Sequence, residues 1–255
     1  LPTLSLAASS VEDVKARGVL RVGAANADPW YYKDPMSEKW SGVGVEIGKL
    51  MAEDLGVKLE IVETTWGNSV AGIQANQIDV MFVLDPTETR KQAIDFPDAP
   101  LFYYAMGALV HEDSTAKAWS DFDTPDTRIG VTIGTNVDTV LTEKLPNAQF
   151  ERFASNNEAI AAFASGRVDV VSQFHPALIA QVARLRMGKV ILPTEVFAIP
   201  TSVGLMKSGD PSFRIWVNDF ITKLYNSGKT EEIFETYIKS KGIDPSGVPG
   251  LVKEN

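Results

Sequence analysis

Residues 78–86 read IDVMFVLDP, and residues 168–176 read VDVVSQFHP. In both stretches an aspartate, Asp79 or Asp169, precedes a short apolar run, and a proline follows seven residues after the aspartate. A continuous apolar run of strand length is typical of a strand that is buried on both faces. The repetition therefore predicts that the chain contains one small unit twice, with a buried strand ending at the same place in each copy.

The segments around the repeated stretches alternate between strand-like and helix-like patterns. The first series is strand 19–25, helix 44–56, strand 57–63, helix 67–77 and strand 78–84. The second series is strand 128–133, helix 136–145, strand 148–153, helix 156–166 and strand 168–174. A β-α-β-α-β series indicates a parallel sheet with crossover helices.

Two extended crossings, near residues 100–113 and 198–211, connect the two series. We therefore expect an α/β protein of two lobes, each a mainly parallel sheet flanked by helices. Lobe 1 is expected to comprise residues 1–107 and 204–255, and lobe 2 residues 108–203. Ligands of open parallel sheets bind at the carboxyl ends of the strands, so we expect a hinged pair of lobes to face one cleft there.

Composition excludes several classes of function. The chain has 255 residues, a net charge of −9 and no cysteine, which argues against non-specific nucleic-acid binding and against disulfides or thiolate chemistry. The only histidines, His111 and His175, are too far apart in sequence to have metal-ligand spacing, so no metal and no cofactor is expected. Residues 1–10 are small and mildly apolar, as the remainder of a removed signal peptide or an arbitrary boundary would be.

Four segments carry a family resemblance. They are VLRVGAANADPWYY (19–32), WSGVGVEIGKLMAEDLGVKLEIVETTW (40–66), IDVMFVLDPTETRKQAIDFPDAPLFYY (78–104) and RIGVTIGTNVDTVL (128–141). In this order they resemble the family 3 extracellular solute-binding proteins, the polar amino-acid receptors of ABC importers, over about residues 11–242. Gly42 and Glu46 match the family pattern, whereas Gly44 replaces a usual acid.

The resemblance implies a fold and a function. The fold is the two-lobed type II periplasmic-binding-protein fold. The function is non-catalytic: a small carboxylate-bearing ligand, an amino-acid derivative or related organic acid, is bound in the interlobe cleft by hinge closure. The family further implies a monomer, exported to the periplasm with its signal peptide removed, that transiently contacts a membrane ABC permease.

In lobe 1, three residues match family ligand positions. Arg90 matches the arginine that binds the ligand's carboxylate, for which a guanidinium is suited. Thr87 is expected to cap the next helix and to help fix the carboxylate, or only to cap. Trp66 falls where the family places an aromatic wall, although core packing is the alternative.

The first loop of lobe 1 supplies further candidates. Asn26 and Asp28 lie on this loop, and one of them is expected to face the cleft. Trp30 and Tyr31 follow at its mouth, where each would either contact the ligand or pack against the rim.

In lobe 2, Thr135 and Asn136 open a helix whose amide donors suit an anion or a carbonyl group. An ordinary helix cap is the alternative.

The sequence departs from the family at both strand ends. Asp85 stands where small hydroxyl residues are usual, and it would pair with Arg90 or receive a ligand ammonium. In lobe 2 the acid that binds the α-ammonium is replaced by Phe174, followed by His175. Because a buried ammonium needs a partner, either Asp28 or Asp85 substitutes or the ligand lacks a standard α-ammonium. His175 is expected either to bind a polar ligand group or to be structural.

Two other functions remain open from the sequence. Prephenate or arogenate (cyclohexadienyl) dehydratases resemble this family, and their chemistry needs a positioned general acid. Glu88, Asp85 and His175 are candidates by residue type. The other possibility is the ectodomain of a sensor.

Overall fold

The computed structural model describes residues 10–253, so all but Ser10 of the expected signal-peptide remnant lies outside the described residues. The strands are β1 Val19–Ala25, β2 Tyr32–Lys33, β3 Trp40–Ser41, β4 Lys58–Thr64, β5 Val80–Leu84, β6 Phe102–Val110, β7 Arg128–Thr132, β8 Gln149–Phe153, β9 Val170–Phe174, β10 Lys189–Ile191 and β11 Ala198–Leu205. The helices are α1 Val11–Arg17, α2 Val43–Leu55, α3 Trp66–Gln74, α4 Glu88–Ala93, α5 Asn136–Lys144, α6 Asn156–Ala164, α7 His175–Leu185, α8 Ser212–Asn226 and α9 Lys229–Ser240. None of the helices between residues 10 and 253 has the length and apolarity that a membrane span requires.

The chain divides into two compact units, whose described parts lie within Leu1–Phe102 with Pro200–Tyr237, and within Tyr103–Ile199 with Ile238–Asn255. Both crossings lie within a few residues of the expected boundaries. The segment after Tyr237 belongs to the second unit, however, whereas the sequence pattern assigned it to lobe 1. The difference arises because Val252 pairs with Tyr103 and the carbonyl of Gly250 contacts His175.

The two units have the same strand order. In the first unit the order is β4-β1-β5-β11, with β1 parallel to β4 and β5, and β11 antiparallel to β5. In the second it is β8-β7-β9-β6, with β7 parallel to β8 and β9, and β6 antiparallel to β9. The expected α/β class, with mostly parallel sheets and flanking helices, is confirmed.

Helix α7 is the main element that the sequence pattern did not predict. Its first turn contains Pro176, and Phe174 is its N-cap residue. Proline is well suited to the first turn of a helix because its missing N–H would have no partner there. The proline at the end of the second repeated stretch therefore begins a helix directly after β9.

Each unit has an apolar core on its sheet. In the first, fully buried side chains include Leu20, Ile47 and Phe82. In the second, the core lies around Ile129, Leu141 and Val170, with Trp119 beside them. All of these residues except Trp119 occupy apolar positions of the predicted strands and helices.

An aspartate at the start of β5 joins that strand to the start of β1. Asp79 is fully buried, and its carboxylate accepts hydrogen bonds from Arg21 Nη2 at 2.8 Å and from the Arg21 backbone N–H at 2.7 Å. Arg17 Nη2 lies 2.5 Å from the same carboxylate. In return, the Asp79 N–H donates to the Arg21 carbonyl at 2.9 Å.

The second unit repeats this arrangement. Asp169 accepts from Arg128 Nη2 and from the Arg128 backbone N–H, both at 2.9 Å, and donates to the Arg128 carbonyl at 2.8 Å. The Arg128 guanidinium lowers the pKa of Asp169, although burial opposes the shift. The aspartates of the two repeated stretches thus connect the start of β5 to β1 in the first unit and the start of β9 to β7 in the second.

We predict that Asp79→Asn lowers the free energy of unfolding by about 2–3 kcal/mol, because it leaves two arginines beside a neutral buried group. The matched change Asp169→Asn should cost less than about 1 kcal/mol, since that pair is partly exposed and screened by water. Urea unfolding of both variants checks the order. An equal loss in the two would contradict it.

Candidate functional site

Two polar side chains of the loop after β1 accept hydrogen bonds within the first unit. Asn26 is exposed, and its Oδ1 accepts a hydrogen bond from the Lys33 N–H at 3.0 Å. Asp28 Oδ1 accepts from the Tyr237 hydroxyl at 2.6 Å. Both side chains therefore contribute to the shape and anchoring of the loop. A ligand contact by either residue stays a prediction.

Trp30 packs inside the first unit. Its ring is 8% exposed and stacks on Phe102, with 5.4 Å between the ring centroids. This geometry supports rim packing, one of the two roles that the sequence left open for Trp30. Trp66, by contrast, is half-buried as the first residue of α3, which Thr65 caps. A ligand wall at Trp66 is compatible with this exposure.

The segment after β5 brings Asp85, Thr87 and Arg90 together. The Thr87 hydroxyl accepts from the Arg90 N–H at 3.3 Å and so caps α4. Arg90 Nη1 donates to the backbone carbonyl of Asp85 at 3.0 Å, and the side chain is half-buried. The guanidinium is therefore held at the carboxyl end of a buried strand.

Tyr31 is a residue whose role the sequence pattern did not reveal. It is fully buried, so it is not at the mouth of the loop. Its hydroxyl donates to the Phe82 carbonyl and accepts from the Phe82 N–H, both at 3.0 Å. Burial raises the pKa of Tyr31 well above its ordinary value, and the phenol stays protonated.

In the second unit, side-chain hydrogen bonds hold the loop between β7 and α5 in place. The Thr135 hydroxyl donates to the Thr132 carbonyl at 2.8 Å and accepts from the Asp138 N–H at 3.2 Å, so it caps α5. The buried Asp138 accepts from Arg152 Nε at 2.9 Å and from the Gly134 N–H at 3.3 Å. Asn136 is exposed at the first position of the helix.

Phe174 ends β9 and is half-buried. Its ring contacts the edge of Tyr104, with centroids 4.4 Å apart and planes at 76°. The side chain therefore presents an apolar surface at the strand end. No carboxylate stands at this position of the chain.

His175 is structural in this geometry. Its side chain is fully buried; Nδ1 accepts from the Ala105 N–H at 3.1 Å and Nε2 donates to the Gly250 carbonyl at 2.9 Å. These contacts require the neutral Nε2–H tautomer. A Cβ on Gly107 would lie 2.7 Å from His175 Cβ, so the backbone at Gly107 packs closely against His175. The structure therefore supports the structural role, one of the two that the sequence left open for His175, and a ligand contact by this residue stays a prediction.

Among residues 10–253, no three or more His, Asp or Glu side chains cluster in a way that could hold a metal ion. The polar groups described above contact the backbone or one another.

Residues 20–240 match the family model of the bacterial extracellular solute-binding proteins, family 3. The chain belongs to this family. The family 3 protein is 24% identical over 230 residues to the L-cystine-binding protein TcyJ of Escherichia coli (strain K12), covering 88% of this chain and 84% of TcyJ.

Solved structures agree with this family 3 assignment. The ancestral cationic amino acid solute-binding protein AncCDT-1 superposes with a TM-score of 0.78 at 28% identity, covering 89% of this chain and 99% of that one. An ancestral cyclohexadienyl dehydratase superposes with a TM-score of 0.62 at 27% identity, covering 92% of this chain and 98% of that one.

We predict a pH-dependent stability that comes from His175. Burial lowers its pKa from 6.5 to about 4, against the opposing effect of its hydrogen bonds to Gly250 and Ala105. The unfolded chain therefore takes up this proton first. The stability that neutral His175 contributes to the folded protein is fully present above pH 6.5. It is lost as the pH falls toward 4, which lowers the free energy of unfolding by about 3 kcal/mol in total.

Urea unfolding between pH 7 and pH 4 tests this, with His175→Gln compared to the wild type. The variant should lose stability less steeply over this range. A slope unchanged in His175→Gln would contradict the prediction.

Proposed function

We propose that this family 3 protein binds a small ligand through its carboxylate and delivers it to a membrane ABC permease after export to the periplasm. The observation that carries the proposal is the position of Arg90. Its guanidinium lies at the carboxyl end of β5 and is half-buried, and Nη1 donates a hydrogen bond to the Asp85 carbonyl. A fork of several N–H donors held in this way suits bidentate binding of a carboxylate.

The names of related proteins support a ligand of the amino-acid type. TcyJ is named for L-cystine, and AncCDT-1 for cationic amino acids. Both classes carry an α-carboxylate, which is the group that Arg90 would bind. Thr87 and Trp66 would complete the contacts of the first unit, and Thr135 and Asn136 would contribute those of the second. Closure of the units on the ligand stays a prediction.

The ligand's second group is constrained by Phe174. An apolar ring at the position where the family usually has an acid offers no partner for an α-ammonium. We infer that the ligand either lacks a standard α-ammonium or uses Asp28 or Asp85 for it. An amino-acid derivative or a related organic acid satisfies this condition better than a plain amino acid does.

The dehydratase neighbour keeps catalysis as a second candidate. Against it stand the contacts of the acids proposed by residue type. His175 is buried and hydrogen-bonded to the backbone, and the exposed Glu88 pairs with Lys91 Nζ at 3.1 Å. Incubation with prephenate and with arogenate distinguishes a binding protein from an enzyme. Product formation that a substitution at Asp85 abolishes would contradict the binding function and support catalysis.

A thermal-shift screen identifies the ligand. Amino acids including L-cystine and L-arginine, opines, amines and small carboxylic acids are the compounds to test. A ligand that binds only the folded state adds about 2.7 kcal/mol of stability at a concentration of one hundred times its Kd. We expect hits to share a carboxylate, and amines without one to give no shift.

We predict that Arg90→Ala weakens binding of the identified ligand at least about 100-fold, because a charge-assisted bidentate contact is lost. Lys91→Ala, which changes the neighbouring cation on the same helix, is the matched control and should bind normally. Calorimetry measures both. Unchanged affinity in Arg90→Ala would refute the carboxylate assignment.

We further predict that wild-type protein binds common L-amino acids weakly and that Phe174→Asp improves this binding by about tenfold, since an acid then faces the ammonium. Met187→Asp is the control, because Met187 is also apolar and is 37% exposed in the second unit, on the segment between α7 and β10. Tight binding of several L-amino acids by the wild type would show that another acid already binds the ammonium.

A further inference from the structure

Strand β5 contains a bulge next to the candidate site. Leu84 pairs with Ser202 of β11 and Phe82 pairs with Val203, so Val83 has no residue of its own opposite it. Val83 has a φ of 60° and is almost fully buried. A β-branched residue rarely adopts this left-handed conformation, and surrounding contacts must therefore hold it there.

The Tyr31 hydroxyl supplies contacts of that kind. Strands β1 and β5 pair at Val22 and Val80. Two residues further along β5, the N–H and carbonyl of Phe82 both bond to the Tyr31 hydroxyl, at 3.0 Å each. Buried backbone groups need partners, so the hydroxyl takes the place of a sheet neighbour on the residue before the bulge.

Gly44 makes room for this arrangement. A Cβ at position 44 would lie 2.4 Å from two ring carbons of Tyr31 and 2.7 Å from its hydroxyl oxygen. The resembled family usually has an acid at this position. In this chain the ring of Tyr31 occupies the space that such a side chain would need, which accounts for the glycine.

Two candidate ligand residues lie directly beyond Tyr31. The ring of Trp66 is 6.1 Å from the Tyr31 ring, centroid to centroid. Strand β5 continues from the bulge into Asp85, and Arg90 bonds to the Asp85 carbonyl. Tyr31 is therefore connected to Trp66 by ring contact and to Arg90 through the end of β5.

We propose that Tyr31 is a positioning residue for the Arg90 site. Its hydroxyl holds the bulge, and the bulge sets the direction in which the segment from Asp85 to Arg90 leaves the sheet. Bulges re-aim the residues that follow them, and a shift of one residue turns every later side chain of a strand to the opposite face. Being fully buried, Tyr31 acts through β5 and does not contact the ligand.

Amide hydrogen exchange of ligand-free Tyr31→Phe tests the proposal. The variant keeps the ring and loses the hydroxyl. Amides from Phe82 to Arg90 should exchange about tenfold faster, as expected for the loss of one buried pair of hydrogen bonds. Amides of β7 and β9 in the second unit should be unchanged.

Leu20→Ala is the matched control. Leu20 is fully buried near the start of β1, at the opposite end of the strand from the loop that carries Tyr31, and its side chain makes no hydrogen bond. It should lower the stability of the first unit without selectively speeding exchange from Phe82 to Arg90. Exchange in Tyr31→Phe that is unchanged, or that matches the pattern of Leu20→Ala, would overturn the proposal.

A rescue experiment separates positioning from general packing. An asparagine amide has both a donor and an acceptor, as the phenol does. Once Tyr31→Ala has removed the ring, Gly44→Asn should slow exchange of the Phe82–Arg90 amides relative to Tyr31→Ala alone. In the presence of Tyr31, Gly44→Asn should speed exchange because of the clash. The same sign of effect in both backgrounds would contradict the proposal.

The proposal rests on the proposed function only where Arg90 is assigned to a ligand. The exchange measurement needs no ligand, so the two can fail separately. Fast exchange in Tyr31→Phe with normal binding in Arg90→Ala would remove the carboxylate assignment and keep the bulge contact. Normal exchange in Tyr31→Phe would remove the positioning role whatever Arg90→Ala does.

Discussion

In each unit, one carboxylate at the start of a buried strand holds an arginine at the start of the neighbouring strand. Asp79 accepts from both the side chain and the backbone of Arg21, and Asp169 does the same with Arg128. These contacts set the parallel register of the first and third strands. Strands β5 and β9 therefore start at equivalent places, and Arg90 lies beyond the end of β5 whereas Phe174 is the last residue of β9.

The two strand ends differ in the side chains that they carry. In the first unit β5 is bulged beside a buried phenol and leads to a guanidinium. In the second, β9 runs directly into α7, and the strand end presents the Phe174 ring while His175 turns inward to bond the backbone at Ala105 and Gly250. One architecture thus offers a cationic group on one unit and an apolar group on the other.

Much of the fold could be predicted from the sequence because it depends on local patterns. Apolar runs and amphipathic periods located the strands and helices of both repeats, and the Thr87 and Thr135 caps were visible as residue types before a helix. The unpredicted parts depend on contacts between distant residues. The segment after Tyr237, for example, joins the second unit through Val252 and Gly250. The start of α7, by contrast, has a local signal in Pro176, which suits the first turn of a helix.

By itself the sequence determined the duplicated α/β unit, the family, and the presence of Arg90 just after the first repeated stretch and of Phe174 near the end of the second, because these follow from patterns of neighbouring residues. Only the tertiary structure decided that His175 is buried and that Tyr31 supports the bulge at Val83. A side chain's partner can lie anywhere along the chain: the Tyr31 hydroxyl bonds to a residue 51 positions away, and His175 Nε2 to one 75 positions away. Burial and hydrogen bonding of this kind depend on which distant backbone groups the fold brings close, and no local pattern contains that information.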